Sequence, residues 1–157
     1  MTSTITATPL KVTITEECSL NGTDQGGVNV MSKGFINEIL KRIVTVPTSE
    51  INIYSTADSV AGGSQFKAAR VKYVRLTNKD DTNYIWIIVK NEGNDEFVVT
   101  LAPGESWLSY NQDSDTGGGM DAAAGAVAVT SGLQDINLVT ARANTASSDL
   151  EVFIAQI

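Results

Sequence analysis

Apolar and polar residues alternate along most of the chain, and this pattern predicts strands rather than helices. Between Ile5 and Thr15, threonine and lysine alternate with Leu10, Val12 and Ile14. A period of two places one face of an extended strand against a core and the other in solvent. The turn-forming residues at 21–27 then predict a hairpin loop.

The stretch from Phe35 to Val46 supports two interpretations. Its apolar spacing fits one face of a helix, which would carry Ile36, Ile39, Leu40 and Ile43. The residues before Pro47 are β-branched, however, and proline disfavours a helical conformation at the residue that precedes it. We therefore predict a strand over Glu38–Val46, and a helical turn remains an alternative over Phe35–Leu40.

Two pairs of strong strand signals are each separated by a short polar loop, which predicts two hairpins. The first pair is Arg70–Thr77 and Tyr84–Lys90, and the second is Ile136–Arg142 and Leu150–Ile157. The run Ile85–Val89 is apolar on both faces. This strand is therefore expected to be central, with a second sheet on one side and a subunit or loop on the other.

The remaining segments complete an all-β prediction. Polar loops rich in glycine are predicted at 58–64 and 111–125, and shorter strands at 28–30, 51–54, 97–101, 107–110 and 126–129. The total is about nine or ten strands with a turn roughly every 8–12 residues. We predict one domain over 1–157, an antiparallel β-sandwich that is jelly-roll-like, with residues 1–9 as an extended N-terminal arm.

Composition narrows the possible chemistry. The chain has 157 residues, of which 42% are hydrophobic and 18% charged, as in folded globular proteins. It contains no histidine and one cysteine, which excludes Ser-His and Cys-His pairs, an internal disulfide and metal sites built from histidine and cysteine. No catalytic, cofactor-binding or metal-binding residue is predicted, and we expect the protein not to be an enzyme.

Charge bears on the partners and the location. The net charge of -7 disfavours attraction to nucleic acid or to an anionic membrane. Neither a signal peptide nor a spanning segment is predicted, so synthesis in the cytoplasm is expected. The single thiol, Cys18, is expected to be half-buried and unreactive.

Two acidic segments are candidate sites, and both are better explained as turns. Asp113–Gly117, with Asp121 beyond it, is similar to the start of a calcium-binding loop. Ala124 stands where the closing glutamate would be, so a solvated loop is preferred. Asp80 and Asp81 are adjacent in a predicted hairpin tip, where neighbouring side chains diverge and do not form an acid–base pair.

The aromatic residues admit two interpretations. A stacking platform for sugars is one, but aromatic side chains on alternating strands more often fill a core or a subunit interface, which we prefer. The residues concerned are Tyr54, Tyr73, Tyr84, Trp86, Trp107 and Tyr110.

A series of turn-forming segments in the C-terminal half carries a family resemblance. The segments are V-K-Y-V-R-L-T-N at 71–78, D-T-N-Y at 81–84, L-A-P-G-E-S at 101–106, L-Q-D-I at 133–136 and A-R-A-N at 141–144. In this order they resemble small β-rich virion structural proteins of tailed bacteriophages. The resemblance covers roughly the C-terminal half and rests on turns, not on active-site residues.

The resemblance implies a capsid decoration or cement protein. Such a protein would bind the major capsid protein or other virion proteins, form a homo-oligomer and be located in the virion after synthesis in the host cytoplasm. The arm Met1–Pro9 would order on a neighbouring subunit by adding a strand to a sheet edge. The alternative is a tail-associated receptor- or carbohydrate-binding module, which exposed aromatics lining a shallow groove would favour. A glycosidase needs two facing carboxylates, and no pair is marked for that role.

Overall fold

The computed structural model describes residues 4–57, 65–67, 70–93, 95–110, 121–123 and 133–157. At Ala57, 121–123 and 133–135 only the backbone is described. Within these residues the regular elements are strands: β1 (Thr8–Glu16), β2 (Ser19–Leu20), β3 (Thr23–Asp24), β4 (Gly27–Ile36), β5 (Glu38–Val46), β6 (Ile51–Ala57), β7 (Gln65–Lys67), β8 (Val71–Asn78), β9 (Ile85–Asn91), β10 (Glu96–Leu101), β11 (Ser106–Tyr110), β12 (Asp121–Ala123), β13 (Leu133–Ala143) and β14 (Ser148–Gln156).

Two sheets form a sandwich. The six-stranded sheet has the order β10-β9-β13-β6-β7, with β12 added on β13, and the four-stranded sheet has the order β11-β8-β14-β5. Every pairing in the two sheets is antiparallel except that of β6 with the short strand β7. The prediction of an antiparallel β-sandwich is confirmed. The two predicted hairpins are wrong, because β8 and β9 lie in different sheets, as do β13 and β14. Each polar loop therefore crosses from one sheet to the other.

The strand order is that of a jelly roll. Four nested pairs, β5 with β14, β6 with β13, β8 with β11, and β9 with β10, form one long folded hairpin. Its turn lies between β9 and β10. The hairpin is rolled up so that β14 also pairs β8 and β13 also pairs β9, which closes the two sheets.

The core lies between the two sheets and follows from the alternation in sequence. Ile85, Ile87 and Val89 of β9 are fully buried, and β13 and β14 show the same period of two. These side chains form one cluster with others from β5, β6, β7, β8 and β10. Because both sheets contribute, the sandwich is held together by a single apolar layer.

The ambiguous segment forms a strand. β5 begins at Glu38 and ends at Val46, as predicted, because Leu40, Val44 and Val46 lie on the face turned to the core. Arg42 shares this face and donates a 2.8 Å hydrogen bond to the Ile53 carbonyl, whereas Lys41, Ile43 and Thr45 face solvent. The predicted loop at 111–125 contains β12, which the sequence pattern did not indicate. The predicted loop at 58–64 and the predicted strand at 126–129 lie outside the described residues.

Candidate functional site

A two-stranded hairpin leaves the sandwich and forms a separate sheet. β1 and β4 pair from Thr8↔Ile36 to Glu16↔Gly27, and within the described chain neither strand pairs with a sheet of the sandwich. From here on, the arm means Thr8–Ile36. It is a different segment from the N-terminal arm expected over 1–9, with which it shares only Thr8 and Pro9. The sequence predicted the strand, the turn and the return strand here, but it did not predict that they leave the sandwich.

The base of the arm lies on the outer face of the four-stranded sheet. Ile36 is buried there with Tyr73 of β8 and Ala155 of β14. Leu10 and Val12 of β1 pack against this small cluster, as do Phe153 and Ile157. The ring of Tyr73 also meets that of Phe153 edge-on, at 5.8 Å between ring centres. This second apolar cluster fixes where the arm sits.

The arm crosses the sheet from one edge towards the other. It begins beside β5, one edge strand, and Lys33 Nζ lies 5.3 Å from the centre of the Tyr110 ring on β11, the opposite edge strand.

The two faces of the arm differ in burial. Val12, Ile14 and Met31 lie on the face turned to the sandwich and are half-buried. On the opposite face Val28 is 66% and Val30 51% exposed, and Leu20 at the tip is 63% exposed.

The arm tip is acidic and sharply turned. Glu16, Glu17 and Asp24 lie in a stretch, 12–32, that contains no lysine or arginine. Positive φ angles at Asn21 and Gly22 close the β2–β3 turn. An open cleft of about 580 Å³ at the tip is lined by Thr15, Glu16, Glu17, Cys18, Ser19, Asp24, Gly26, Gly27 and Val28. Contrary to expectation Cys18 is exposed, because the tip is far from any core.

The junction between the arm and the sandwich is strained. Phe35 adopts a φ of 61°, in the left-handed region, and its side chain is 79% exposed. Only Asn37 separates β4 from β5, and its amide donates a 3.1 Å hydrogen bond to the Gln156 carbonyl of β14. Phe35 also lies in a β-bulge of the β1–β4 ladder, since Thr8 pairs with Ile36 but Leu10 pairs with Lys33.

A shallow groove lies on the outer face of the six-stranded sheet. It has a volume of about 290 Å³ and is lined by Trp86, Ile88, Val98 and Arg142. Arg142 Cζ lies 4.9 Å from the centre of the Trp86 ring, a cation–π contact. β9 is an interior strand of its sheet, as predicted, and this groove lies on the face that we expected a subunit or loop to cover.

The titratable groups near the groove form a strand-bridging network. Lys90 Nζ lies 2.8 Å from Glu50 Oε1, and the Thr140 hydroxyl donates a 2.7 Å hydrogen bond to the same oxygen. These two bonds lower the pKa of Glu50, and the bond to Glu50 raises the pKa of Lys90. A carboxylate held ionised beside an ammonium is a structural link, not a poised acid.

A second network lies on the outer face of the four-stranded sheet. Arg75 of β8 hydrogen-bonds the Glu151 carboxylate of β14, and this bond lowers the pKa of Glu151. Lys41 Nζ of β5 lies 3.9 Å from the same carboxylate. Three neighbouring strands are tied by one half-buried charge cluster.

Asp80 and Asp81 lie in a turn and not in an acid–base pair, as the sequence predicted. Asp80 Oδ1 accepts hydrogen bonds from the amides of Thr82 at 2.8 Å and Asn83 at 2.6 Å, and these bonds lower the pKa of Asp80. Asp81 bonds only the neighbouring Thr82 hydroxyl in the described structure. The calcium-like segment 113–117 lies outside the described residues, and of Asp121 only the backbone is described.

The aromatic residues divide between core and surface. Tyr54 and Tyr73 are buried and Trp107 packs against the main core, as the preferred interpretation expected. Tyr84 and Tyr110 are 45% and 46% exposed. Trp86 is half-buried, and its position in a groove was not evident from the sequence.

Comparison with known proteins does not place the chain in a family. No family model matches the chain, and neither a curated protein nor a solved structure matches it. No helix in the described residues is long and apolar enough to cross a membrane. Across the same residues, no group of three or more Asp, Glu, His or Cys side chains is placed to bind a metal ion.

Proposed function

We propose that this protein is a non-enzymatic virion structural protein that binds and stabilises a phage capsid shell as a decoration or cement protein. The observation that carries the proposal is the arm, a hairpin that projects from a rigid sandwich with the apolar side chains of one face uncovered. The resemblance of the segments at 71–78 and 101–106 to virion proteins of tailed bacteriophages supports a capsid shell as the partner.

The arm needs a partner to be ordered along its whole length. An isolated two-stranded hairpin is at best marginally stable in water, and three or more strands or a packed face are normally required. The cluster at Ile36 covers only the base of the arm. Val28 and Val30 share one face of β4, and a capsid protein surface that covers them would complete the missing layer.

The sandwich suits the role of a rigid support. The second apolar cluster fixes where the arm base lies on it. Two charge networks tie neighbouring strands on its outer faces. Jelly rolls recur in viral capsid domains and in lectins. The fold is compatible with a capsid-binding protein and with a sugar-binding protein. The choice between these two roles therefore rests on the arm.

A co-sedimentation assay tests the proposal. Purified protein is mixed with emptied tailed-phage shells, and bound protein is measured against total protein. We expect saturable binding at a fixed ratio to the shell protein. A short-arm variant, in which 13–30 is replaced by Asn-Gly, keeps the Val12↔Met31 pair beside a two-residue turn and is expected to lose most of the binding.

Two milder variants test whether shell binding depends on the arm or on another part of the surface. Val28→Thr with Val30→Thr keeps the strand shape but removes the apolar contact, and it should weaken binding at least about tenfold. Ile43→Thr introduces the same hydroxyl at a residue of β5 that is 62% exposed and lies outside the arm and the Trp86 groove, and binding should be unchanged. Equal binding by the intact chain and the short-arm variant, or no binding by either, would refute the proposal.

The groove at Trp86 favours a second candidate, a tail-associated receptor- or carbohydrate-binding module. A tryptophan in a shallow apolar groove beside an arginine can stack on a sugar ring and donate hydrogen bonds to its hydroxyls. This candidate predicts retention of the protein on host cell-surface glycans, and loss of retention in Trp86→Ala but not in Trp107→Phe. Retention without shell binding would replace the first candidate with this one.

A further inference from the structure

The outer face of the six-stranded sheet carries opposite charges at the two ends of a diagonal. At one end Arg142 of β13 lies opposite Trp86 of β9. At the other end Glu96 of β10 lies opposite Lys90, four residues further along β9. Residues directly opposite each other share a face, and Ile88 lies midway on the same face. By strand geometry the Cα atoms of Arg142 and Glu96 are about 16 Å apart, too far for their side chains to pair within one chain.

The charges at the two ends are not balanced within the chain. Arg142 forms no salt bridge with a described residue, and its guanidinium lies over the Trp86 ring. At the other end a single ammonium, that of Lys90, is shared by the carboxylates of Glu50 at 2.8 Å and Glu96 at 3.6 Å. One end of the diagonal therefore has a spare positive charge and the other a spare negative charge.

The centre of the same face is apolar. Trp86 and Ile88 lie on the face of β9 that is turned away from the core, and they line the shallow groove together with Val98 and Arg142. Val98 is 54% exposed. An interior strand that is apolar on both faces is normally covered on both, and the core covers only one face of β9.

We propose that two copies of this chain form a dimer through the outer faces of their six-stranded sheets, related by a two-fold axis that passes beside Ile88. The axis lies between the two sheets, at right angles to the line from Arg142 to Glu96. It therefore places Arg142 of each copy opposite Glu96 of the other. A second copy is the occupant because this face is its own complement in charge: the end with the spare guanidinium meets the end with the spare carboxylate, twice in each dimer.

The same rotation pairs the remaining side chains favourably. Trp86 comes opposite Lys90 of the second copy, and an ammonium over an indole ring is a favourable contact. Ile88 meets its own counterpart and Val98 lies over Thr140, so the apolar centre is removed from water. The contact spans three strands, so the dimer should be weak, with a dissociation constant of about 1–100 μM. The inference does not depend on the proposed function, since the arm base lies on the other sheet.

Charge reversal tests the proposal by sedimentation equilibrium. Wild-type protein should show a monomer–dimer equilibrium in the range given above. Arg142→Glu places two carboxylates opposite each other at both contacts and should weaken the dimer at least about tenfold, and Glu96→Arg should do the same with two cations. An equimolar mixture of the two variants should dimerise again at about wild-type strength. In that mixed dimer each reversed residue meets the opposite charge on the other copy.

Matched charge changes on the arm serve as the control. Lys11→Glu and Glu17→Arg, alone or mixed, should leave the dissociation constant unchanged. The proposal would be overturned by a wild-type protein that stays monomeric up to hundreds of micromolar, by an Arg142→Glu dimer as tight as wild type, or by no recovery in the mixture of Arg142→Glu and Glu96→Arg. A chain that stays monomeric while host cell-surface glycans bind at Trp86 would likewise refute the dimer and assign the groove to the sugar-binding candidate.

Discussion

At the scale of single residues, charged side chains on this protein are paired across strands rather than gathered into a reactive site. Glu50 is paired with Lys90, and Glu151 with Arg75. Each carboxylate has a lowered pKa for that reason. The stability of the fold should therefore depend on pH through these groups.

The Glu151 pair gives the first prediction. Folding lowers the pKa of Glu151 below its ordinary value of 4.5, so its ionised form stabilises the fold above that pH. This contribution is lost as pH falls through the lower folded pKa. Glu151→Gln should reduce the free energy of unfolding by about 1–2 kcal/mol at pH 7. The difference from wild type should shrink as the pH falls below 4.5.

Denaturant unfolding at several pH values measures this difference. Glu92→Gln, at an exposed position, serves as the control and should match wild type at every pH. A Glu151→Gln deficit that stays constant from pH 7 to pH 3 would show that the carboxylate charge contributes nothing.

Tyr54 gives the second prediction. Its ring packs edge-on against Phe66 in the core, and its hydroxyl is buried without a hydrogen-bond partner among the described residues. Burial also raises the pKa of this hydroxyl. Removing an unsatisfied buried polar group relieves its desolvation cost, so Tyr54→Phe should raise the stability by up to about 1 kcal/mol. A loss of more than about 1 kcal/mol in thermal unfolding would contradict this account.

At the scale of elements, the arm and the sandwich are separate in their packing. The main core draws no residue from the arm, whose contacts with the sandwich lie in the second cluster around Tyr73. The short-arm variant should therefore keep its β-sheet circular dichroism spectrum and unfold within a few degrees of wild type. A collapse of cooperative unfolding in this variant would show that the arm is part of the core.

The core strands should respond differently from the edge strand. Ile87 of β9 is fully buried between the sheets, and Ile43 of β5 is 62% exposed on the outer face. Ile87→Ala should destabilise the fold by about 2–5 kcal/mol, whereas Ile43→Ala should cost less than about 0.5 kcal/mol. Similar losses at both positions would contradict the assignment of the core to the space between the sheets.

Sequence patterns predicted the elements whose alternation is strong. The strands β8, β9, β13 and β14 follow from apolar runs around polar loops, and β5 follows from its β-branched end and Pro47. The pairing of β8 with β9 and of β13 with β14 was predicted wrongly, because a short polar loop can cross between two sheets as well as join neighbouring strands of one sheet. The sequence did not predict that β1 and β4 leave the sandwich as a separate sheet. Alternation in these strands indicates that one face is buried, but it does not indicate which sheet covers that face. The exposed valines at 28 and 30 have the same pattern as core residues.

The groove at Trp86 and the left-handed backbone of Phe35 could not be predicted from the sequence, for related reasons. Trp86 and Arg142 are 56 positions apart in sequence, and only the pairing of β9 with β13 places them opposite each other. Phe35 resembles an ordinary strand residue, since a left-handed backbone at phenylalanine has no sequence signal. Long-range register and local strain are properties of the folded chain.

At the scale of the whole molecule, the protein is a rigid jelly roll from which a hairpin projects. Long-range pairing joins the first sandwich strand β5 to the last, β14, which also pairs with β8, so the four-stranded sheet depends on the C-terminal strand. A truncation that removes residues 148–157 should abolish cooperative folding, because it takes a central strand out of the four-stranded sheet. A soluble, cooperatively folded product of that truncation would contradict the topology.

If the protein stabilises a shell by binding it, as we propose, the shell should withstand a higher temperature when the protein is present. The measurement is the temperature at which emptied tailed-phage shells disrupt, followed by light scattering as the protein is added in increasing ratio. We expect this temperature to rise and then saturate at a fixed ratio of protein to shell subunit, and the short-arm variant to give no rise. A disruption temperature that stays constant at all ratios of the intact protein would refute the proposed function.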